Sequence, residues 1–256
     1  MHNHRSNYNI YFRFLEENLG NRFENVNTDS PVYLELEQHC RSLDQSFHIA
    51  NGLSIKIIFA DKGLGPSIGL PHATDASQLS ANSFFYATHP DHKVSFQAGL
   101  TKLISLSYLL CHHRENYILY SRIFPLKDLA GRYNQLLFQC YVFKPFPAEE
   151  RTFALVVTTI INHLYDPKQG IYVYLGNDLT HFRYPDAALL GSTINLSTRQ
   201  RIILDMLAKA KTSAEISEAL FLSKHTIDTH RRNILKKTGY TSTTSLIKDL
   251  TDKGII

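Results

Sequence analysis

The spacing of apolar residues changes character twice along the chain, and each change predicts a different kind of structure. Across residues 8–19, Tyr11, Phe14, Leu15 and Leu19 recur at helical spacing. A second helix runs from Pro31 through Leu36 to about Leu43, with Ser30 as its cap and proline at the first helical position. Residues 48–55 then read as a hairpin, because Asn51-Gly52 suits the two positive-φ positions of a tight turn, and the apolar run of residues 55–60 is its partner strand or its continuation. Residues 61–71, with Gly63, Gly65, Gly69, Pro66 and Pro71, predict a loop. Helical spacing returns over residues 91–110, where Phe96, Leu100, Leu103, Ile104 and Ser107 share a face. Three strands follow, residues 117–124, 132–144 and 152–161. In the middle one Leu136, Phe138, Cys140 and Val142 alternate with Gln135, Gln139 and Tyr141, which predicts one buried and one semi-polar face. Residues 163–194 carry Asp166-Pro167, Gly170, Tyr184-Pro185-Asp186 and Gly191-Ser192 and read as a connection. Within it, residues 171–175 are either an added strand or an extended segment.

The last quarter is helical throughout. Ser197-Thr198-Arg199-Gln200 is a capping box opening a helix with Ile202, Ile203, Met206 and Leu207 inside. Thr212 and Glu215 form a second box, ahead of a short helix packed through Ile216, Ala219 and Leu220. Phe221, Leu222 and Ser223 bridge it to a third helix that Ser223 caps and Gly239 ends, the connection length of a helix-turn-helix. In that third helix Ile227, His230, Ile234 and Leu235 fall together, while at about 100° per residue His225, Asp228, Thr229, Arg232 and Lys236 fall roughly opposite. Lys224 and Arg231 flank the polar face. A fourth amphipathic helix, residues 242–252, carries Leu246, Ile247 and Leu250. Aliphatic anchoring on one side and basic, hydrogen-bonding side chains on the other suit the DNA major groove.

In order, Leu196-Ser197-Thr198-Arg199-Gln200, Glu215-Ile216-Ser217, Ser223 with Thr226-Ile227 and His230, and Lys237-Thr238-Gly239 resemble the DNA-binding domain of the LuxR family over about residues 193–256. Gln200 stands for the usual Glu, Ala210 for a frequent Gly, Ser217 for Ala and Thr238 for an apolar residue. The resemblance implies that residues 223–237 enter the major groove of double-stranded DNA. His225, Asp228, Thr229 and Arg232 are then the candidates for base edges, and Lys224, Arg231, Lys236 and Lys237 for phosphates. Asp228 departs from the Lys or other polar residue that many members place there; it either accepts from a cytosine amino group or holds Arg231 or Arg232, and the second reading is preferred.

The preceding part resembles a PAS domain over about residues 45–162. The order of two strands, short helices, a longer helix and three antiparallel strands carries this resemblance. Two local matches support it, Thr88-His89-Pro90-Asp91 and the stretch from Lys127-Asp128 to Arg132-Tyr133. The expected fold class is therefore α+β, a PAS-like antiparallel sheet with helices followed by an all-α four-helix bundle. Its expected divisions are a helical lead-in (1–44), a sensor (45–165), a linker (166–192) and the DNA-binding unit (193–256).

Charge sharpens this division. From Gly191 onward there are eleven Lys and Arg against six Asp and Glu, so that part is net +5 and the rest net −1. The positive charge sits where a polyanionic partner is expected. With 256 residues and 43% hydrophobic content the chain can bury a substantial core, and it contains no run of 18 consecutive apolar residues. Its polar start, His2-Asn3-His4-Arg5, lacks the apolar stretch of a signal peptide, so a cytoplasmic location with no membrane partner is expected.

Cys40, Cys111 and Cys140 are odd in number and far apart, which suggests neither disulfides nor a zinc ribbon. His89 and His92 lack a third ligand at family spacing, so no metal is expected. Asp61 and Lys144-Pro145 imitate a response-regulator receiver, but the acidic pair that would hold Mg²⁺ is missing and consecutive strands replace the alternation of strands and helices. Acyl-homoserine-lactone sensing is disfavoured by the absence of tryptophan. No nucleophile elbow, Walker loop or dinucleotide fingerprint is present, so no enzymatic activity is expected. The leading reading is a one-component transcription regulator that binds DNA as a homodimer. No cofactor is assigned, and an effector of unnamed chemistry is allowed for in the sensor. The alternative is a signalling adaptor or protein-interaction module whose basic helix is incidental, or a response regulator with a degenerate receiver.

Overall fold

The computed structural model describes residues 8–70, 78–112, 116–146, 148–164, 172–190 and 196–252. Helices α1 (Asn9–Asn18) and α2 (Pro31–Ser42) lead into β1 (Gln45–Asn51) and β2 (Ile57–Ala60). Then come α3 (Leu64–Ser67), α4 (Ala81–Ala87) and α5 (Lys93–His112), followed by β3 (Tyr117–Lys127), β4 (Tyr133–Phe143) and β5 (Phe153–Ile160). β6 (Val173–Gly176) and α6 (Ala187–Leu190) precede the C-terminal helices α7 (Thr198–Ala208), α8 (Ser213–Leu220), α9 (Lys224–Thr238) and α10 (Thr243–Asp252). The strands form one antiparallel sheet in the order β2-β1-β5-β4-β3-β6. The class is α+β, as expected, and β6 answers the open choice over residues 171–175: from Val173 the segment is a strand, paired to β3.

Both faces of the sheet are buried. On one, Phe84 of α4 and Phe96, Leu106 and Leu110 of α5 pack over Tyr120, Phe124, Cys140 and Val142. On the other, Tyr11 and Phe14 of α1 and Tyr33 and Leu36 of α2 cover Phe47, Ile49, Leu155 and Val157. The semi-polar face expected for β4 is thus not solvent-facing, because the N-terminal helices lie on it. Gln139 is fully buried there. Its Oε1 accepts from the Tyr8 hydroxyl at 2.8 Å, and its Nε2 donates to the carbonyls of His181 and Arg183 at 2.9 and 3.1 Å. Gln45 joins the same network, donating to Tyr8 and Thr159 and accepting from Tyr11. Buried amides need partners, and here they stitch α1 and the segment after β6 to the sheet.

Among the described residues Pro90–His112, with mean hydropathy 1.3, is the stretch long and apolar enough to cross a membrane. Polar residues interrupt it, and it lies along β3 and β4.

Asn51-Gly52 does not form the expected two-residue turn. The connection extends to Lys56, Asn51 Oδ1 accepts from the amides of Leu53 and Ser54, and the left-handed residue is Ile55 at φ 52°. Gly52 instead donates its N–H to Thr152 and continues the β1–β5 ladder. A Cβ on Gly52 would collide with the Thr152 and Ser107 hydroxyls, so close approach is what requires glycine there. The expected loop 61–71 contains α3 within its described part.

Asp61 is a buried strut. Its carboxylate accepts from the Phe47 amide at 3.0 Å and the Gly63 amide at 3.2 Å, tying the end of β2 to the start of β1. Burial pushes its pKa up to about 7, although the backbone donors pull the other way. Burial also pushes His48 down to about 3. The folded chain therefore keeps the Asp61 proton that the unfolded chain loses above 3.8, and this group costs stability as pH rises from there to about 7. His48 has the opposite slope, since the folded chain refuses a proton that the unfolded chain takes up below 6.5. Between about pH 4 and 6.5 the two slopes oppose each other. Asp61→Asn removes one of them, so its urea midpoint should rise with pH across this window more steeply than that of the unaltered chain. Parallel pH profiles for the two proteins would contradict this account of Asp61.

Candidate nucleic-acid interface

Local chemistry accounts for the start and stop of each C-terminal helix. Ser197 and Gln200 close a reciprocal capping box on α7, and Thr212 and Glu215 close another on α8. Ser223 Oγ accepts from the Thr226 amide at 3.0 Å to open α9, and Gly239 ends it at φ 76°. Ala210 adopts the left-handed conformation at φ 58° without being glycine, and Lys211 N then returns to Met206 O at 3.1 Å. The α8–α9 turn repeats the device with Phe221 at φ 53° and Leu222 N on Ser217 O at 3.0 Å. Arg199 Nη2 donates to Leu220 O at 2.9 Å, a cation at the negative end of α8.

These helices close around Ile203, Leu204, Leu207, Ile216, Ile227, Ile234, Leu246 and Leu250. The inward face of α7 is rotated from the expected one: Leu204 is buried, while Ile202 is 39% exposed. Five of the six residues 202–207 are apolar, so spacing alone did not choose between the faces. Ala219, also expected inside, is exposed.

With Ile227 and Ile234 in the core, α9 presents the opposite arc outward. His225, Arg232, Lys224 and Lys236 are exposed on it, and Asp228 and Thr229 are half-buried. The Arg232 guanidinium donates to Thr229 Oγ1 at 3.2 Å, so these two side chains lie together. Asn233, exposed beside Thr229 and Lys236 at helical spacing, belongs to the same arc and was missed in the sequence. Its signal was available, since it lies four residues after Thr229 and its amide offers both a donor and an acceptor.

Two of the basic candidates have partners within the fold. Arg231 donates to Ser213 Oγ at 2.7 Å and to Thr243 Oγ1 at 3.3 Å, joining α9 to α8 and α10. Lys237 Nζ reaches Gln200 Oε1 at 3.1 Å. The expectation that Asp228 holds an arginine is not met. Among the described residues no ion pair joins it to Arg231 or Arg232, because each guanidinium turns to hydroxyl partners instead. Elsewhere, His89 Nδ1 accepts from the Asp91 amide at 3.3 Å, a capping role, and among the described residues no group of three or more His, Cys, Asp and Glu could hold a metal.

A cationic, hydrogen-bonding arc on the second helix of a helix-turn-helix defines a class of nucleic-acid-binding domain. Residues 194–248 match the family described as bacterial regulatory proteins, luxR family. The C-terminal unit is a helix-turn-helix domain of that family, as the sequence resemblance indicated. Transcriptional regulatory protein MctR of Rhizobium johnstonii is 36% identical over 74 residues, which are 27% of this chain and 35% of that protein. The uncharacterized response regulatory protein YgeK of Escherichia coli is 42% identical over 60 residues, 23% of this chain and 41% of that protein. The chain thus spans between about a third and two fifths of the length of these curated relatives. Among solved structures, the Vibrio cholerae VqmA dimer in the absence of target DNA aligns at 15% identity and TM-score 0.38, over 87% of this chain and 88% of that one.

Proposed function

We propose that this protein is a sequence-specific DNA-binding transcription regulator of the one-component kind, in which the sheet domain governs a LuxR-type helix-turn-helix. The observation that carries the reading is the outward arc of α9, with Lys224, His225, Arg232 and Lys236 exposed opposite buried Ile227 and Ile234. In this reading Arg232, Thr229, His225 and Asp228 meet base edges, and Asn233 joins them. Lys224 and Lys236 neutralise phosphate. Arg231 and Lys237 hold the fold and touch the backbone at most secondarily, given their internal partners.

One such module buries roughly 600–1,000 Å² on DNA, little for specific recognition, which favours a dimer on two half-sites about one helical turn apart. The proposed divisions differ from the sequence expectation in one respect: the described part of the lead-in, residues 8–44, goes with the sheet domain, because α1 and α2 form its second buried layer. The working location is the cytoplasm, where duplex DNA is accessible, and no catalytic step is assigned.

Fluorescence anisotropy on labelled duplexes across a salt series tests the electrostatic part. Lys236→Ala should weaken binding to all sequences alike and lower the salt slope by about one. An unchanged slope would remove Lys236 from the phosphate contacts.

A further inference from the structure

A helix lying on a soluble domain normally turns charged residues to water. α9 does this with Lys224, Arg232 and Lys236, but α5 does not. The residues of α5 turned away from the sheet are Val94, Gln97, Thr101, Ser105, Tyr108 and His112, all exposed and spaced three or four apart. None of them is Asp, Glu, Lys or Arg, over a length of about 27 Å at 1.5 Å per residue. Val94 is 82% exposed and Tyr108 60%. Of the most apolar part of Pro90–His112 only 33% is buried, so packing on the sheet uses a minority of that hydrophobic character.

The hydroxyls in the middle of this face are already satisfied. Thr101 Oγ1 donates to Gln97 O at 3.0 Å, and Ser105 Oγ donates to Thr101 O at 3.0 Å. Bonded back onto their own helix, both can be stripped of water without leaving a donor unmade. The Tyr108 and His112 rings pack edge to face at 4.5 Å between centroids, which gathers bulk at the C-terminal end. An exposed face without formal charge, with small residues at its centre and a tyrosine near one end, has the composition of an interface core rather than of a solvated surface.

The order of sizes along the stripe selects the occupant. A two-fold axis between Thr101 and Ser105 sets two such helices antiparallel, with Thr101 of one copy against Ser105 of the other. Small residues at the crossing let the backbones approach closely. The same axis lays Tyr108 of each copy onto the short Ala98 of the other, and Val94 beside His112. Large thus meets small at both ends, the self-complementarity that an isologous contact requires. Both faces of the sheet are already occupied by helices, so a second copy cannot pack on either. A lipid surface matches less well, because helices that lie in a membrane interface present large apolar side chains bordered by Lys and Arg, and here Thr101 and Ser105 hold the centre.

We propose that the outward face of α5 is where two copies of this chain meet, as an antiparallel helix pair about a two-fold axis between Thr101 and Ser105. The choice of a second copy rests on the dimer proposed above for DNA recognition; the uncharged face stands on α5 alone. A strip about 27 Å long and about 10 Å wide is smaller than the roughly 800 Å² per partner of a standard stable interface. The dimer is therefore weak in the free protein, with a Kd between about 1 and 100 μM, and persists once two half-sites hold both copies side by side.

Sedimentation velocity of the full chain without DNA, at loadings from about 1 to 200 μM, should show a reversible monomer–dimer equilibrium. Thr101→Glu, at an exposed helical position, should raise its Kd at least about tenfold with an unchanged circular dichroism spectrum, because two carboxylates then meet near the axis. Cross-linking tests the register and decides alone should that variant misfold. Cys40, Cys111 and Cys140 are buried, so cysteines introduced on the face can be oxidised selectively. In an equimolar mixture of Thr101→Cys and Ser105→Cys chains, one carrying a size tag, mild oxidation should join unlike chains at least about fivefold faster than like chains. Flotation with neutral phosphatidylcholine vesicles should leave the chain in solution. A monomer at every loading, a dimer indifferent to Thr101→Glu, like chains joining as fast as unlike ones, or co-flotation that Thr101→Glu abolishes would each overturn the proposal. These readouts contain no DNA, so their failure leaves recognition by α9 untouched, and a chain that dimerises through α5 without binding duplex DNA would overturn the regulator reading alone.

Discussion

Ile227→Ala is expected to unfold the C-terminal helices while leaving the sheet domain intact. Ile227 is fully buried at the contact of α9 with the other helices. Truncating a buried Ile to Ala typically costs about 2–5 kcal/mol. A single small helical core rarely supplies more than about 3–5 kcal/mol in all, so the loss rivals the stability of the whole unit. The sheet domain has separate clusters on its two faces that do not include Ile227. Hydrogen exchange should therefore show collapsed protection over residues 196–252 and near-native protection in β1, β3, β4 and β5. Retained protection across α7–α10 would mean that the bundle draws its stability from elsewhere.

Arg232→Ala should have the largest effect on recognition without touching the fold. Its guanidinium is exposed and donates to Thr229 Oγ1. If it makes a bidentate contact to guanine, its loss should cost about 1–3 kcal/mol, roughly 5- to 150-fold in affinity, and relax preference at one base pair. Arg231→Ala, one residue away, should behave differently, lowering thermal stability because Arg231 joins α9 to Ser213 and Thr243. Binding-site selection with both variants, beside their melting curves, separates the two roles. An Arg232→Ala protein with unchanged sequence preference would exclude Arg232 as a base reader.

How much of this was legible in the sequence depended on whether the governing interaction was local. Capping boxes at Ser197 and Thr212, the Ser223 cap and the Gly239 stop act within a few residues, and each lies where the sequence places it. The strands between residues 117 and 161 were legible too, the middle one through its own alternation and their antiparallel order through the resemblance to a PAS domain. What the sequence concealed arises between distant segments. Gln139 reads as part of a semi-polar face until the N-terminal helices cover it, and Gly52 reads as a turn residue until Thr152 and Ser107 close in on it. Arg231 looks like its neighbour Arg232 in composition, yet the hydroxyls of two other helices claim it. The tight apolar cluster at residues 202–207 hid which side of α7 faces inward.

The central claim is that α9 lays its exposed basic arc into duplex DNA. It is tested most directly with the full chain and the triple variant Lys224→Glu, Arg232→Glu, Lys236→Glu, all at exposed positions outside the core. Anisotropy titrations on random-sequence duplex at about 50 mM salt should show clear, salt-sensitive binding by the unaltered chain. The triple variant, with an unchanged circular dichroism spectrum, should lose it by at least about a hundredfold. If the unaltered chain shows no affinity for duplex DNA under these conditions, or the folded variant binds as well as its parent, α9 is not the DNA-reading helix.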